Sequence, residues 1–549
     1  MNKLTQKSPF WLIPVLLFFG IEKIKGQNLV SVAQVGNEHL QSLTQLVNNG
    51  DKTYWSGVFK NELTINESTL ESKGEEDIVV AEVLSDLNSR PFLVGGSERD
   101  DALTAMAIDH DGNLIIAGSF WRSISFKTFQ ASSFEFLHFD ENPRALFLFK
   151  ISPDGQLLWH HLFRGGGIKM IDDIAVNAMG DISIGGFFRE ELFVDGYSLE
   201  KTGVTSGFTA LVRPSGTIEW IDAFGDTGDS RVTAITFGND TTIRVTGWYN
   251  DTLKIGNSNI PANTNDKDGY IASYDLAGDV QWAHRAGGVF DEEPRAMIAD
   301  EEGNTYITGQ LVGVMTLNDS LSIQSRDGNA DCFLLKYNAQ GDAIWAQSFG
   351  GDQLQFSNDI TISEEAIHLV GAFEQNLFIQ DASLESLDQF DGYLASFAFD
   401  GRLQKLLILP TQGGSALPRQ VVNQNNEQLL GGDFSGRLCL NNQNLQTDEA
   451  SDFEIFIARF NALSTSTTQA SETENESLVF PNPFQDRIYL SNLDTSDQIT
   501  IFDASGKLYY QGPAQQEFIA TKTWAAGAYY MLISNTQQDS QRQVKLIKK

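Results

Sequence analysis

An all-β chain built on one repeating unit is what these 549 residues predict, from three observations. From Asp291 to Gly351 four short apolar runs stand apart: Ala296–Ala299, Thr305–Thr308, Phe333–Tyr337 and Ala343–Ala346. Gly, Asn and Asp bound most of them, and runs this short read as antiparallel strands rather than helices. The same text returns six more times. Its second run ends on Gly57, Gly118, Gly186, Gly247, Gly309, Gly371 and Gly432, at spacings of 61, 68, 61, 62, 62 and 61. Third, Trp159, Trp220, Trp282 and Trp345 occupy one position in the fourth run, where Arg90 and Lys405 stand in the first and sixth units. A fixed period of this size with four strands per period is the signature of a β-propeller, here with seven blades. A blade buries both faces of its sheet only by stacking on its neighbours, which accounts for runs that are apolar almost throughout. A Gly within a strand lets backbone or a Trp ring approach closely. The two units lacking the Trp are expected to pack less well.

Taken in order, the chain opens with a targeting segment. Lys3 and Lys7 form a basic region ahead of a 12-residue apolar run, Phe10 to Ile21, interrupted by Pro14. That run is too short to span a bilayer, so residues 1–26 read as a secretory signal peptide. No Cys follows it to serve as a lipid anchor, and no later stretch predicts a transmembrane anchor in the mature chain. Residues 27–461 hold the propeller. The seventh unit shows three strands, while Val32–Gly36 reads like the fourth strand at Trp345–Gly350 without its Trp. Residues 28–36 are therefore expected to close the ring, antiparallel to the strand at Phe456–Phe460. Residues 462–476 are rich in Ser, Thr, Glu and Gln and read as a flexible linker. Residues 477–549 alternate short strands with tight turns, which predicts a small Ig-like β-sandwich.

Two stretches resemble known families. "AIDHDGNLIIAGSF" and "FLLKYNAQGDAIWAQSFGG" are similar to bacterial β-propeller repeats of the SBBP type, a resemblance that implies fold and little chemistry. "FPNPF", "IFDASGKLYYQ", "AAGAYYMLIS" and "VKLIKK" in residues 477–549 resemble, in order and spacing, the type A C-terminal sorting domain of the type IX secretion system. That resemblance implies export in two steps with the secretion machinery as partner. It further implies removal of the domain, with the cargo released or joined to a surface lipopolysaccharide.

Charge narrows the function classes. With 38 basic and 72 acidic residues the net charge is −34, which disfavours nucleic acid because phosphate contacts need Lys and Arg. Cys332 and Cys439 fall in the fifth and seventh units, which do not touch, so no disulfide is expected. The loops joining one blade's fourth strand to the next blade's first are Gly-rich and acidic, and together with the second-to-third strand loops they form the default binding face. The latter set includes the long stretch from Lys127 to Arg144. Calcium is the cofactor these loops suggest, with Asp100, Asp101, Asp229 and Asp291 as candidate ligands. Asp109-His110-Asp111-Gly112-Asn113 has calcium-loop text too, but Asp, Gly and Asn are also what a hairpin turn requires. Arg231, Arg295 and Arg419 lie near the expected channel mouth and are candidates to clamp a carboxylate or sulfate. The alternative is that each pairs with a nearby acid.

No His-x-x-x-His or Gly-x-Ser-x-Gly pattern occurs, and no catalytic or cofactor-binding residue can be assigned. The reading is a secreted or surface-attached binding or scaffold module for a glycan or protein. A secreted polysaccharide hydrolase or lyase is the alternative, and a purely structural surface protein the third.

Overall fold

The computed structural model describes residues 29–35, 40–66, 68–138, 144–262, 266–326, 328–386, 388–424, 427–440, 443–447, 453–461, 479–480, 487–490, 497–503, 507–513, 518–535 and 540–548. The expected signal peptide and linker lie outside these residues. All regular structure among the described residues is β, and no helix there is long and apolar enough to cross a membrane. The chain divides into a unit ending at Leu463 and a second from Ser464 to Lys549.

Among the described residues the unit ending at Leu463 contains, beside several shorter sheets, seven antiparallel four-strand sheets with a common strand order, the first of them extended by two further strands. The third is typical: Lys169–Val176, Ile182–Phe188, Ser206–Val212 and Ile218–Phe224, paired in that sequence. The first strand of each sheet packs against the first strand of the next, and that of the seventh, Ala416–Gln424, packs against that of the first, Leu40–Asn48. In the seventh sheet the outermost strand is Leu29–Val35, antiparallel to Glu454–Asn461. This is the neighbour that the repeat count predicts. Core clusters run between sheets rather than within one: Leu146 and Leu148 of the second sheet share theirs with Ile182, Ile184 and Phe208 of the third.

The seven repeat glycines have one cause. Each lies opposite the residue before a bulge in the first strand of its own sheet, and a Cβ there would strike that strand's carbonyl. The distance would be 2.0 Å at Gly186 and Gly247, 2.1 Å at Gly118 and Gly309, and 1.8 Å at Gly371. Gly371→Ala is therefore expected to cost about 3 kcal/mol, because the neighbour is backbone and cannot rotate away. A urea midpoint equal to that of the parent chain would refute this.

The Trp residues do something else. The rings of Trp159, Trp220 and Trp282 pack on turn glycines Gly216, Gly278 and Gly341 of the following unit. Trp159, Trp220 and Trp345 donate Nε1–H to the carbonyls of Pro214, Leu276 and Phe399. The Trp is thus a latch between units, and the strand Gly accommodates backbone. Lys405, in the Trp position of the sixth unit, is buried, and burial lowers its pKa to about 8, whereas Arg90, in that position of the first unit, is exposed and paired with Glu82.

Each unit also contains a short hairpin between its second and third strands, so it has six strands and not four. Leu192 and Val194, in the hairpin of the third unit, are almost wholly buried. A strand of four residues with two inward side chains is too brief to stand out beside the longer apolar runs. The supposed loop Lys127–Arg144 largely belongs to such a hairpin, Ser123–Thr128 with Phe134–Leu137, whose first strand is bonded onto the fourth strand of the first sheet.

In the second unit a three-stranded and a four-stranded antiparallel sheet contribute Ile488, Ile519, Ile499, Ile501, Tyr529 and Met531 to one core.

Candidate functional site

A bulge in every first strand shapes the inner wall. The extra residues are Thr44, Thr104, Asp172, Thr233, Arg295, Asn358 and Arg419. A bulge re-aims its side chain, and here four of the seven, those of Thr104, Asp172, Thr233 and Asn358, bond across to the next sheet. Thr104 donates to the Ile171 carbonyl at 2.6 Å, Thr233 to that of Pro294 at 2.7 Å, and Asn358 to that of Pro418 at 2.7 Å. The residue after the bulge helps: Asp173 accepts from Ile235 N–H at 2.8 Å and Asp359 from Val421 N–H at 2.8 Å. Burial pushes both carboxyls up to about 7. None of this shows in the sequence, because a bulge leaves apolar alternation nearly intact.

A cavity of about 380 Å³ opens among these strands, lined by Thr44, Thr104, Met170, Asp172, Asn358, Arg419 and Gln420 among others. Of the three candidate arginines, Arg419 lines it and donates to Asp433 at 2.8 Å. Arg231 is held against Asp172 through two hydrogen bonds, one from Nε at 2.9 Å, with its guanidinium 4.7 Å over Phe187. Arg295 donates to Gln310 at 2.5 Å and lies 5.8 Å over Phe356, outside the residues that line the cavity. Two of the three are therefore engaged by acids, Arg231 by one 59 residues away on the preceding sheet and Arg419 by one on the paired strand of its own sheet.

The four candidate calcium ligands sit on three separate loops. Asp101 is buried and accepts from Ser97 N–H at 2.6 Å, and burial raises its pKa to about 7. Asp229 accepts from Thr205 at 2.9 Å and Asp291 from Lys267 N–H at 3.0 Å, while Asp100 is exposed. Among the described residues no group of three or more His, Cys, Asp or Glu could hold a metal. The Asp109–Asn113 segment is a turn whose Asp109 is buried in an ion pair with Lys150 at 2.8 Å.

Glu292, beside Asp291, is wholly buried. One carboxylate oxygen accepts from Gly288 N–H at 2.7 Å and the other has no partner. Burial raises its pKa to about 8. The folded state thus holds this proton more tightly than the unfolded chain, so stability falls as pH rises from about 4.5 to about 8. Glu292→Gln keeps the acceptor and removes the charge. It should stabilise the protein by on the order of 1–2 kcal/mol at pH 8.5 and by nothing at pH 4. Equal denaturation midpoints for the two proteins at pH 8.5 would contradict the assignment.

A second cavity, of about 550 Å³, lies between the second and third sheets and shares Met170 with the first. Ser119, Trp121, Arg144, Lys169, Arg189 and Glu190 line it with the glycine-rich segment at Gly167 and Ile168. Trp121 escaped the sequence reading. The available signal was the 68-residue spacing, the one departure from a period otherwise of 61 or 62.

Residues 478–549 match the family described as the secretion system C-terminal sorting domain. The chain therefore carries a type IX secretion sorting domain, and the protein is secreted or attached to the cell surface. Elsewhere the likenesses are remote. An uncharacterized WD repeat-containing protein of Acanthamoeba polyphaga mimivirus is 22% identical over 344 residues, 50% of this chain and 24% of that protein. Regulatory protein FlaEY of Caulobacter vibrioides is 24% identical over 148 residues, 27% of this chain and 16% of that protein. The chain thus spans a quarter or less of these relatives' length. Among solved structures, PorZ of Porphyromonas gingivalis, described as a surface component of the type-IX secretion system, is similar at TM-score 0.21 and 12% identity, covering 92% of this chain and 81% of its own. Virginiamycin B lyase from Staphylococcus aureus is similar at TM-score 0.31 and 10% identity, covering 62% and 94%.

Proposed function

We propose that residues 27–461 form a seven-bladed β-propeller of SBBP-type repeats, closed by the N-terminal strand, that serves as a binding or scaffold module outside the cell. Its ligand is a glycan or a protein. The sorting domain at residues 477–549, an Ig-like β-sandwich in this reading, engages the type IX machinery and is removed after export. The observation that carries the reading is the pair of adjoining cavities, framed by loops and first strands of a rigid set of sheets, on a chain addressed to the exterior. Concave sites with a few converging polar groups are where ligands bind. The inner-wall carboxylates speak for a structural use of that wall: Asp173 also accepts from Ile174 N–H at 2.9 Å, so both of its oxygens are committed to backbone. A glycan array probed with the full chain, followed by turnover assays on each hit, tests the reading. Binding without turnover is expected. Turnover would favour the hydrolase or lyase alternative, and silence across the array together with no captured surface protein would favour a purely structural role.

A further inference from the structure

The cavity between the second and third sheets departs from the acidic character of the chain. Its lining carries three cations and one acid in a protein of net charge −34. Trp121 ends its strand directly opposite Arg144, so indole and guanidinium emerge on the same side of the sheet. Trp121 is 36% exposed and Ile168 is 59% exposed, two large apolar groups at the rim of a polar cavity. Arg144 donates to Ser119 Oγ at 2.9 Å, and Lys169, which opens the next sheet's first strand and is only 6% exposed, donates its ammonium to the Gly165 carbonyl at 2.8 Å, so both cations are held in place at the cavity wall. Arg189 is exposed, just past the strand Ile182–Phe188. The Arg99 guanidinium lies over one face of the Trp121 ring, 5.5 Å from its centroid, which leaves the other face for a ligand and adds a further cation. The acid, Glu190, is pressed against the glycine segment: a Cβ on Gly166 would fall 2.1 Å from its Oε2.

These groups select one ligand class. A pyranose ring has an apolar C–H face that fits against an indole, and a polar edge. A uronate carboxylate or a sulfate ester on that edge matches the planar fork of an arginine. The volume, about 550 Å³, suits a short stretch of saccharide.

We propose that this cavity is a binding subsite for an acidic saccharide, its ring stacked on Trp121 and its carboxylate or sulfate held by Arg144, Lys169 and Arg189. The proposal rests on the binding-module reading and names its ligand class and site.

The test is a titration of the full chain at low salt with tetragalacturonate, its methyl ester, and a chondroitin sulfate tetrasaccharide, followed by calorimetry and tryptophan fluorescence. At least one acidic probe should bind, the ester at least about tenfold more weakly than the acid, and added salt should weaken binding. Trp121→Ala and Arg189→Glu, both at exposed positions, should each lose at least about tenfold, while Arg402→Ala, on an exposed turn that lines neither cavity, should bind as the parent does. Binding of neither acid, equal binding of acid and ester, or undiminished binding by Trp121→Ala would overturn the proposal. Neutral glycans captured on an array regardless of Trp121→Ala would remove this site yet leave the module reading. An array with no bound glycan or protein of any kind would remove that reading too.

Discussion

Removing residues 29–36 should lower the stability of the repeat unit by on the order of 5 kcal/mol. The strand Leu29–Val35 feeds two cores at once. Val35, 4% exposed, packs with Leu43, Leu46, Ile455 and Ile457, and Ala33 lies against the same cluster. Leu29 and Val32 pack on the cluster of Phe456, Ala458 and Phe460. Burying one large aliphatic side chain stabilises by about 1.5–3 kcal/mol, so one full and three partial burials account for the estimate. Loss of the strand also exposes a row of unpaired backbone groups along Glu454–Asn461, an edge that invites aggregation. The truncated protein should unfold at a clearly lower urea concentration. A synthetic peptide of residues 28–36 should restore the midpoint in a dose-dependent way, because it binds only the folded state. An unchanged midpoint would mean that the seventh sheet does not depend on its fourth strand.

Much of this architecture was legible because the repeat is dense in residues with one physical use. Gly371 is Gly because a carbonyl stands where its Cβ would be, and that need recurs in every unit. Trp220 is legible as a position in the period, but its partner is not, since the turn at Gly278 lies one unit further along. The hairpins were missed because two inward residues in a four-residue strand make no period. Arg295 and Arg419 sit at bulge positions, and Arg231 two residues before one, which their place in the period does not reveal. What holds Arg231 could not be read, because Asp172 is 59 residues away on the preceding sheet, whereas Asp433 faces Arg419 across a strand pair of its own sheet. Trp121 was hidden by its ordinary surroundings, at the end of a strand that looks like six others.

The second large effect concerns address rather than stability. Sorting information resides in residues 478–549, a module with its own core and separate from the repeat unit. A chain lacking residues 477–549 keeps every strand of the seven sheets, so it should fold and yet lose its route across the outer membrane. The measurement is fractionation of a bacterium with a working type IX system, expressing either the full chain or the chain ending at Glu476, with mass spectrometry of the surface and medium fractions. The full chain should yield surface or medium protein whose C-terminus falls between Ala462 and Ser477, and the truncated chain should accumulate in the periplasm. Truncated protein reaching the surface in undiminished amount would contradict the account.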